Sequence, residues 1–214
     1  DVNKSVAEFG VEGKNIRFGF NAVKSMGRPT ITAIIEERTN NGDFHSMQDF
    51  ITRMAGVINK RTVEHLILAG AFDTFGHTRR GMLNVYERMI DSAVKQNKDA
   101  ISGQMSLFDL VSEEDKQSLE MKVPDIQEFE KEDLLEREKE VLGVYVTGHP
   151  LDEYTGMWEK HVSARSTDFL IDEETGETKA ADSTKQTIGG LVRNIKVNTT
   201  KTGQQMAYLT IEDF

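Results

Sequence analysis

A five-residue stretch, Gln104-Met105-Ser106-Leu107-Phe108, has the residue types of a short peptide ligand. The amide of Gln104 can donate and accept hydrogen bonds at one end of the stretch. At the other end, the adjacent side chains of Leu107 and Phe108 can fill an apolar cleft on a partner protein. The alternative is that Leu107, Phe108 and Leu110 form one end of an ordinary helix. The chain on either side must decide between these two interpretations.

Two short turns have the residue types that bind phosphate. The run Ser25-Met26-Gly27-Arg28-Pro29 leads into a helix, and proline is favoured at the first helical position. Gly27 permits a tight turn whose N–H groups point outward beside the helix N-terminus, an arrangement that suits a phosphate oxygen. A further helix, which begins at Asn59, closes on the glycine turn Ala69-Gly70-Ala71. Each turn can equally be a plain connection between helices, without a ligand.

Two such turns close together in the sequence can present two backbone loops to one DNA duplex. Contacts of this kind are made with phosphates rather than bases, so binding should be independent of base sequence and weakened by salt. Cationic side chains near the turns can add to the attraction, although such a surface residue taken singly is more often inert. The predicted DNA-binding residues are Lys24, Ser25, Met26, Gly27, Arg28, Lys60, Arg61, Ala69, Gly70, Ala71, Arg79 and Arg80.

The remaining titratable residues predict no catalytic or metal site. The acidic candidates are Glu128, Glu130, Glu132 and Asp133. They alternate along the chain and would not converge on one metal ion, so a solvated helix face explains them better. The histidines His65, His77 and His149 have no partner at the spacing of a zinc site. We therefore expect no catalytic residue, no metal and no cofactor in this chain.

Composition and charge limit the class of protein further. The chain has 214 residues and no cysteine, which fits a reducing compartment such as the cytoplasm. No apolar run approaches the roughly 18 residues that span a bilayer, so we expect no membrane partner. The net charge is +2 over residues 1–103, −14 over 104–182 and +2 over 183–214. Nucleic acid would therefore be tolerated at either end and repelled by the middle, although an acidic block is more commonly a solvated helix face.

The elements that must position the candidate residues are mostly helices. The pattern predicts a small β-hairpin over residues 6–20, followed by a short apolar helix at Ala22 and Val23. Ser46 and Thr78 are predicted to cap helices, the second of which continues to about Asn97. The loop 97–103 would then carry the Gln104–Phe108 stretch outward.

The second half of the chain predicts one long helix and two strands. A charged helix is expected from Asp125 to about Leu142. Strands are predicted over 187–197 and 206–213, with a bend or bulge at Gly189-Gly190 and an exposed sheet edge. The predicted fold class is mainly α with a small β part. The segments are a hairpin and helix region (1–98), a ligand loop (99–123), an acidic helix and connector (124–185) and terminal strands (186–214).

Five runs of residues in this order resemble one known family. They are Ile16-Arg17-Phe18-Gly19 with Ala22–Gly27, Asn59-Lys60-Arg61 through Leu68–Asp73, Gln104–Phe108, Glu138–Gly143 through Gly148-His149-Pro150-Leu151, and Gly190-Leu191-Val192 through Met206–Asp213. Together they cover nearly the whole chain. This succession resembles the C-terminal part of the bacterial DNA polymerase III alpha subunit, of the DnaE-type, C-family replicative polymerases.

The resemblance implies a role for each region. It identifies the two glycine turns with a tandem helix-hairpin-helix element that holds duplex DNA. It identifies Gln104–Phe108 with the motif that docks on the β sliding clamp. The terminal strands would begin an OB domain, and because only two strands are present, binding of single-stranded DNA is not expected from them.

The resemblance also implies where chemistry and partners lie. The catalytic carboxylates and divalent metal of the parent nucleotidyltransferase would lie upstream of residue 1, so this fragment would not be catalytic. Its partners would be the sliding clamp, duplex DNA and, through the parent chain, other replisome subunits, in the nucleoid-associated cytoplasm of a bacterium. Two alternatives remain open. One is a stand-alone DNA-repair or adaptor protein with helix-hairpin-helix units and a clamp motif, and the other is a metal-dependent nuclease in the acidic half.

Overall fold

The computed structural model describes residues 1–101 and 121–214 of the chain. Its elements are β1 (Gly10–Glu12), β2 (Asn15–Arg17), α1 (Arg28–Asn41), α2 (Met47–Arg53), α3 (Lys60–Leu68), α4 (Arg79–Ile101), α5 (Lys131–Leu142), α6 (Thr155–His161), β3 (Leu191–Thr199) and β4 (Gln205–Glu212). Short 3-10 segments cover Phe20–Ala22, Asp73–Phe75, Asp152–Tyr154 and Ser166–Phe169. Contacts divide the chain into two compact units, residues 1–146 and 147–214. The predicted fold class, mainly α with a small β part, is confirmed.

The core of the first unit is built from the apolar faces of α1 to α4. The ring of Phe50 lies edge to face with Phe44 at 5.0 Å and with Phe72 at 5.1 Å between centroids. Burial of each such side chain stabilises the fold by about 1.5–3 kcal/mol. The largest buried side chains of this core include Phe20, Ile31, Ile34, Phe44, Met47, Phe50, Ile51, Leu66, Ile67, Phe72 and Met82.

Three helices of this unit begin where local side chains cap them. Ser46 Oγ accepts a hydrogen bond from the N–H of Asp49 at 3.0 Å, and Asn59 Oδ1 accepts one from Thr62 at 2.9 Å. Thr78 Oγ1 accepts a hydrogen bond from the N–H of Gly81 at 3.0 Å. Each satisfies an N–H group that the helix itself leaves without a partner. The predicted starts of α2, α3 and α4 are therefore confirmed.

The structure differs from the sequence prediction at several element ends. The two strands of the predicted β-hairpin, β1 and β2, cover only three residues each. The helix predicted at Ala22 and Val23 is a single 3-10 turn at Phe20–Ala22. The helix predicted to end near Asn97 continues to Ile101. The charged helix begins at Lys131 rather than Asp125. Residues 124–130 instead have no regular secondary structure, because this segment makes hydrogen bonds across the beginning of α4.

The second unit contains an antiparallel ribbon of β3 and β4. Val192 pairs with Ile211 and Ile195 with Leu209, and the register is irregular between Val192 and Asn194. The irregularity therefore lies at Arg193, three residues beyond the predicted bend or bulge at Gly189-Gly190. Successive strand residues alternate between faces, so one extra residue at Arg193 puts Val192 on the same face as Ile195. These four apolar side chains remain exposed, and both ribbon edges are unpaired among the described residues.

With 23 residues, α4 is the longest of the described helices. In the parts of the chain that the structure describes, no helix combines enough length and hydrophobicity to cross a membrane.

Candidate nucleic-acid interface

The first hairpin, residues 23–28, presents a turn and two cationic side chains to solvent. Lys24, Ser25, Gly27 and Arg28 are exposed, and α1 begins at Arg28 directly after this turn. The first turn of a helix has N–H groups without intrahelical partners and carries a partial positive charge. This arrangement can accept the oxygens of a phosphate group.

The left-handed residue of the first hairpin is Ser25, not Gly27. Ser25 has φ +67°, whereas Gly27 has φ −80° and ψ 149°, an extended conformation that any residue adopts. The prediction that Gly27 permits the turn is therefore wrong at the level of the backbone. A residue with a Cβ atom in the left-handed region costs about 1–2 kcal/mol, so surrounding contacts must hold this turn in place.

The backbone N–H and C=O groups of Lys24 both bond residues of other helices. The N–H of Lys24 donates to the carbonyl oxygen of Val141, in the last turn of α5, at 2.9 Å. The carbonyl oxygen of Lys24 lies 2.7 Å from Nδ1 of His65 on α3. Since a carbonyl oxygen can only accept, Nδ1 of His65 carries the proton. Lys24 is thus fixed directly before the left-handed Ser25.

The second hairpin, residues 68–73, uses its N–H groups internally. Gly70, with φ +72°, donates to the carbonyl of Ile67 at 3.0 Å, and Ala71 donates to that of Leu66 at 2.9 Å. The N–H of Ala69 donates to His65 O at 2.9 Å. These bonds form the glycine-terminated end of α3 known as a Schellman motif. The predicted DNA contacts of Ala69, Gly70 and Ala71 therefore have no amide donor available in this structure.

Arg79 is buried beneath the second hairpin. The residue is 4% exposed, and its guanidinium donates to both carboxylate oxygens of Asp73 at 3.0 and 2.7 Å. It also donates to the carbonyl of Leu68 at 2.9 Å and to Glu138 Oε1 at 3.3 Å. Burial acts to lower the pKa of Arg79, but the hydrogen bond and charge of Asp73, aided by Glu138, outweigh it and raise that pKa. The predicted contact of Arg79 with DNA is not available in this arrangement, because the guanidinium holds the hairpin instead.

The other predicted cations remain on the surface. Lys60 lies 3.2 Å from Glu87 and 3.1 Å from Asp91, and its hydrogen bonds to Asp91 and Glu87 raise its pKa. These two carboxylates offset its charge. By contrast, within residues 1–101 and 121–214, no ion pair forms with Lys24, Arg28, Arg61 or Arg80.

The exposed predicted residues meet at the first hairpin and α3. Arg61 lies one helical turn before His65, and residues four apart share a helix face. Because His65 contacts the carbonyl of Lys24, the face of α3 that carries Arg61 adjoins the first hairpin. Met26, between Ser25 and Gly27, is half-buried against the core. The strongest candidate interface therefore consists of Lys24, Ser25, Gly27, Arg28 and Arg61.

Comparison with known proteins matches the region that contains both hairpins. A family model described as "Helix-hairpin-helix motif" matches residues 1–82, a range that includes both hairpins and the beginning of α4. DNA polymerase III subunit alpha of Saccharopolyspora erythraea is 33% identical over 218 residues, which is 100% of this chain. The same subunit of Vibrio cholerae is 33% identical over 215 residues, and that of Thermus aquaticus is 34% identical over 218 residues. The chain is homologous along its whole length to part of DNA polymerase III subunit alpha.

The match covers a small part of these relatives. The chain spans 18% of the Saccharopolyspora and Vibrio subunits and 16% of the Thermus subunit. The resemblance to the polymerase III alpha subunit that the sequence predicts is confirmed.

The predicted clamp-binding residues Gln104, Met105, Ser106, Leu107 and Phe108 lie outside the described residues. They follow α4 in the chain. The chain is described again from Met121, whose N–H donates to Gln48 Oε1 of α2 at 2.6 Å.

Sequence reasoning missed a carboxylate at the beginning of α4. The sequence pattern predicts that Glu128 belongs to a solvated helix face. Its Oε2 atom accepts a hydrogen bond from the N–H of Arg79 at 2.6 Å, and its Oε1 atom accepts one from Arg80 at 3.0 Å. A carboxylate there is favoured by the partial positive charge of the helix N-terminus. The beginning of α4 is therefore already occupied by an anionic group of the chain itself. Thr78 caps the N–H of Gly81, so the N–H groups of Arg79 and Arg80 need another acceptor. This need is the one signal in the sequence that could have indicated a carboxylate at the beginning of α4.

Among the described residues, no three His, Asp or Glu side chains are placed to hold a metal ion.

Proposed function

We propose that this chain is a DNA-binding part of a replicative polymerase subunit, which holds duplex DNA through the first hairpin and the adjoining face of α3. The observation that supports this proposal is the exposed first hairpin. It combines the open N-terminus of the 14-residue α1 with the cations Lys24 and Arg28, which make no ion pair within the described ranges. The helix-hairpin-helix match over residues 1–82 covers the same region.

The expected binding is electrostatic and independent of base sequence. Each phosphate contact releases condensed counterions, so the logarithm of the affinity falls by about 0.9 per contact for each tenfold increase in salt. With about three phosphate contacts, raising the salt from about 50 to 200 mM weakens binding by about 40-fold. Such weak binding needs a second attachment if the polymerase is to stay on DNA.

We propose that the second attachment is the docking of Gln104–Phe108 on the β sliding clamp. Burial of Leu107 and Phe108 contributes about 1.5–3 kcal/mol each. A micromolar complex requires about 8 kcal/mol, so the motif alone is a weak ligand. On one chain, with DNA passing through the clamp, each weak contact raises the effective concentration of the other. The parent polymerase supplies the catalytic carboxylates, the divalent metal and the contacts with other replisome subunits, and this segment is not catalytic.

Duplex binding is tested by reversing the charges of the first hairpin. We expect Lys24→Glu with Arg28→Glu to weaken binding of a fluorescein-labelled duplex, measured by anisotropy, by more than about tenfold at low salt. The matched control is Arg88→Glu with Lys95→Glu, which makes the same charge change on exposed positions of α4. Equal losses in the two variants would show that only net charge matters and would contradict the hairpin site.

Clamp docking is tested by changing the apolar pair of the motif. We expect Leu107→Ala with Phe108→Ala to abolish binding to a purified bacterial sliding clamp in surface plasmon resonance. The control is Leu110→Ala with Val111→Ala, which removes two apolar side chains just beyond the motif. If the control abolishes binding as well, these residues act as one helix face and the motif is misassigned.

A further inference from the structure

The end of α5 contacts both hairpins, although the sequence prediction places it in a separate acidic connector. Val141 accepts the hydrogen bond from Lys24 of the first hairpin. One turn earlier, Glu138 pairs with Arg79, which holds the second hairpin through Leu68 and Asp73. The last two turns of α5 are therefore bonded directly to the first hairpin, through the Val141 carbonyl, and through Arg79 to the second hairpin.

These contacts are buried and satisfied. Glu138 is 1% exposed, Val141 is 1% exposed and Leu135 of the same helix is 1% exposed. One oxygen of Glu138 faces Arg79, and the other accepts the N–H of Val146 at 2.8 Å, just after the helix. A buried carboxylate is tolerated only when it is paired and hydrogen-bonded, so its position is tightly defined. The helix end is fixed in the same way, since Gly143 adopts φ +79° and closes α5 with a bond to Lys139 O.

We infer that α5 sets the separation and orientation of the two hairpins, with Glu138 as the positioning residue. The N–H groups of Ala69, Gly70 and Ala71 are bonded within the second hairpin, so duplex binding depends on the first hairpin, whose Lys24 is held by the Val141 bond. α5 lies in the segment that the sequence predicts to be an acidic helix and connector (124–185). It is then part of the duplex site. The functional side of this inference rests on the proposed duplex binding, whereas its geometric side does not.

The geometric side is tested by measuring the distance between the hairpins. The chain has no cysteine, so Thr32→Cys on α1 and Thr74→Cys beside the second hairpin give two specific spin-label sites on exposed positions. We expect Glu138→Gln to broaden or shift the distance distribution measured by double electron–electron resonance. The control Glu140→Gln makes the same charge change on an exposed position of α5 and should leave the distribution unchanged.

The functional side is measured by the salt dependence of duplex binding in the same variants. For each phosphate contact that is lost, the slope of log affinity against log salt should decrease by about 0.9. A purely stabilising role would lower the melting temperature without moving either the distance or the slope of the protein that remains folded. If Glu138→Gln does not fold at low temperature, Glu138→Asp keeps the charge but shortens its reach by one methylene, and the same shift is expected to a smaller degree.

The two proposals fail separately. Unchanged distances and slopes in a folded Glu138 variant would overturn the positioning role while leaving duplex binding intact. Absence of duplex binding by the unsubstituted protein would overturn the proposed function, and the distance measurement would still decide whether α5 positions the hairpins.

Discussion

Gly70 and Gly76 provide a sharp test of how the second hairpin is held. Both have a positive φ, +72° and +77°, so alanine at either position must adopt a left-handed conformation. That conformation costs about 1–2 kcal/mol, partly offset by the lower entropy of the unfolded alanine chain, about 0.4–1 kcal/mol. The two positions differ in what the added Cβ atom meets.

At Gly70 the added Cβ atom overlaps the Arg79 guanidinium. It would lie against Nη2 of Arg79, 2.9 Å from Cζ of Arg79 and 2.7 Å from Oδ2 of Asp73, whereas at Gly76 nothing lies within 4 Å. The Arg79 side chain is buried and bonded to Asp73, Leu68 and Glu138, so it cannot move without breaking that network. Overpacking of this kind adds about 1–3 kcal/mol. We expect Gly70→Ala to lower the free energy of unfolding by about 2–4 kcal/mol and Gly76→Ala by about 1 kcal/mol.

Urea unfolding followed by circular dichroism at 222 nm is the appropriate assay. The single tryptophan, Trp158, lies in the second unit, so its fluorescence reports on that unit and not on the hairpins. The helical signal comes mainly from the first unit, which contains α1 to α5. Equal costs for the two variants, within about 0.5 kcal/mol, would refute the packing of Arg79 against the second hairpin.

Three further predictions concern single residues of the first unit. Ser25→Gly should raise the free energy of unfolding by about 0.5–1 kcal/mol in the same urea assay, because it removes the left-handed strain at φ +67°, and Ser25→Ala should not. Glu128→Gln should lower it by about 0.5–2 kcal/mol through loss of the charged cap on α4, while the exposed Asp125→Asn should have little effect; equal effects would contradict the cap. Burial, with the nearby charges of Glu64 and Glu87, raises the pKa of Tyr86 to about 12. Since an unfolded tyrosine ionises near pH 10, stability present below about pH 10 should be lost as the pH rises towards 12. Tyr86→Phe should lose less over that range, and parallel losses in both proteins would refute this assignment.

Local signals in the sequence were sufficient for the helix starts. Ser46, Asn59 and Thr78 cap their helices as predicted, because a capping side chain bonds an N–H group only two or three residues away. The order of the motifs was likewise sufficient to indicate the resemblance to the polymerase III alpha subunit, which the comparisons confirm. The assignments of a clamp motif and an OB domain remain predictions.

Element ends and the roles of charged residues were decided by contacts between distant residues. The helix predicted from Asp125 begins at Lys131. The reason is that Glu128 accepts a hydrogen bond from Arg79 at the beginning of α4, 49 residues earlier in the chain. Arg79 and Arg80 are adjacent and identical in type, yet one is buried and the other exposed. The difference depends on which of them faces the second hairpin, and helix periodicity alone does not show what lies on that face.

The sequence by itself determined the resemblance to the polymerase III alpha subunit, the starts of α2, α3 and α4, and the positions of the two turns. Only the tertiary structure decided which turn remains open to a phosphate. The N–H groups of the second turn are taken by the end of α3, while the first turn is held by His65 and Val141 and faces solvent. Glu138 contributes to this difference through its ion pair with Arg79, which lies 59 residues earlier in the sequence. The physical reason is that a buried polar group must bond a polar partner. Folding brings that partner from a distant part of the sequence.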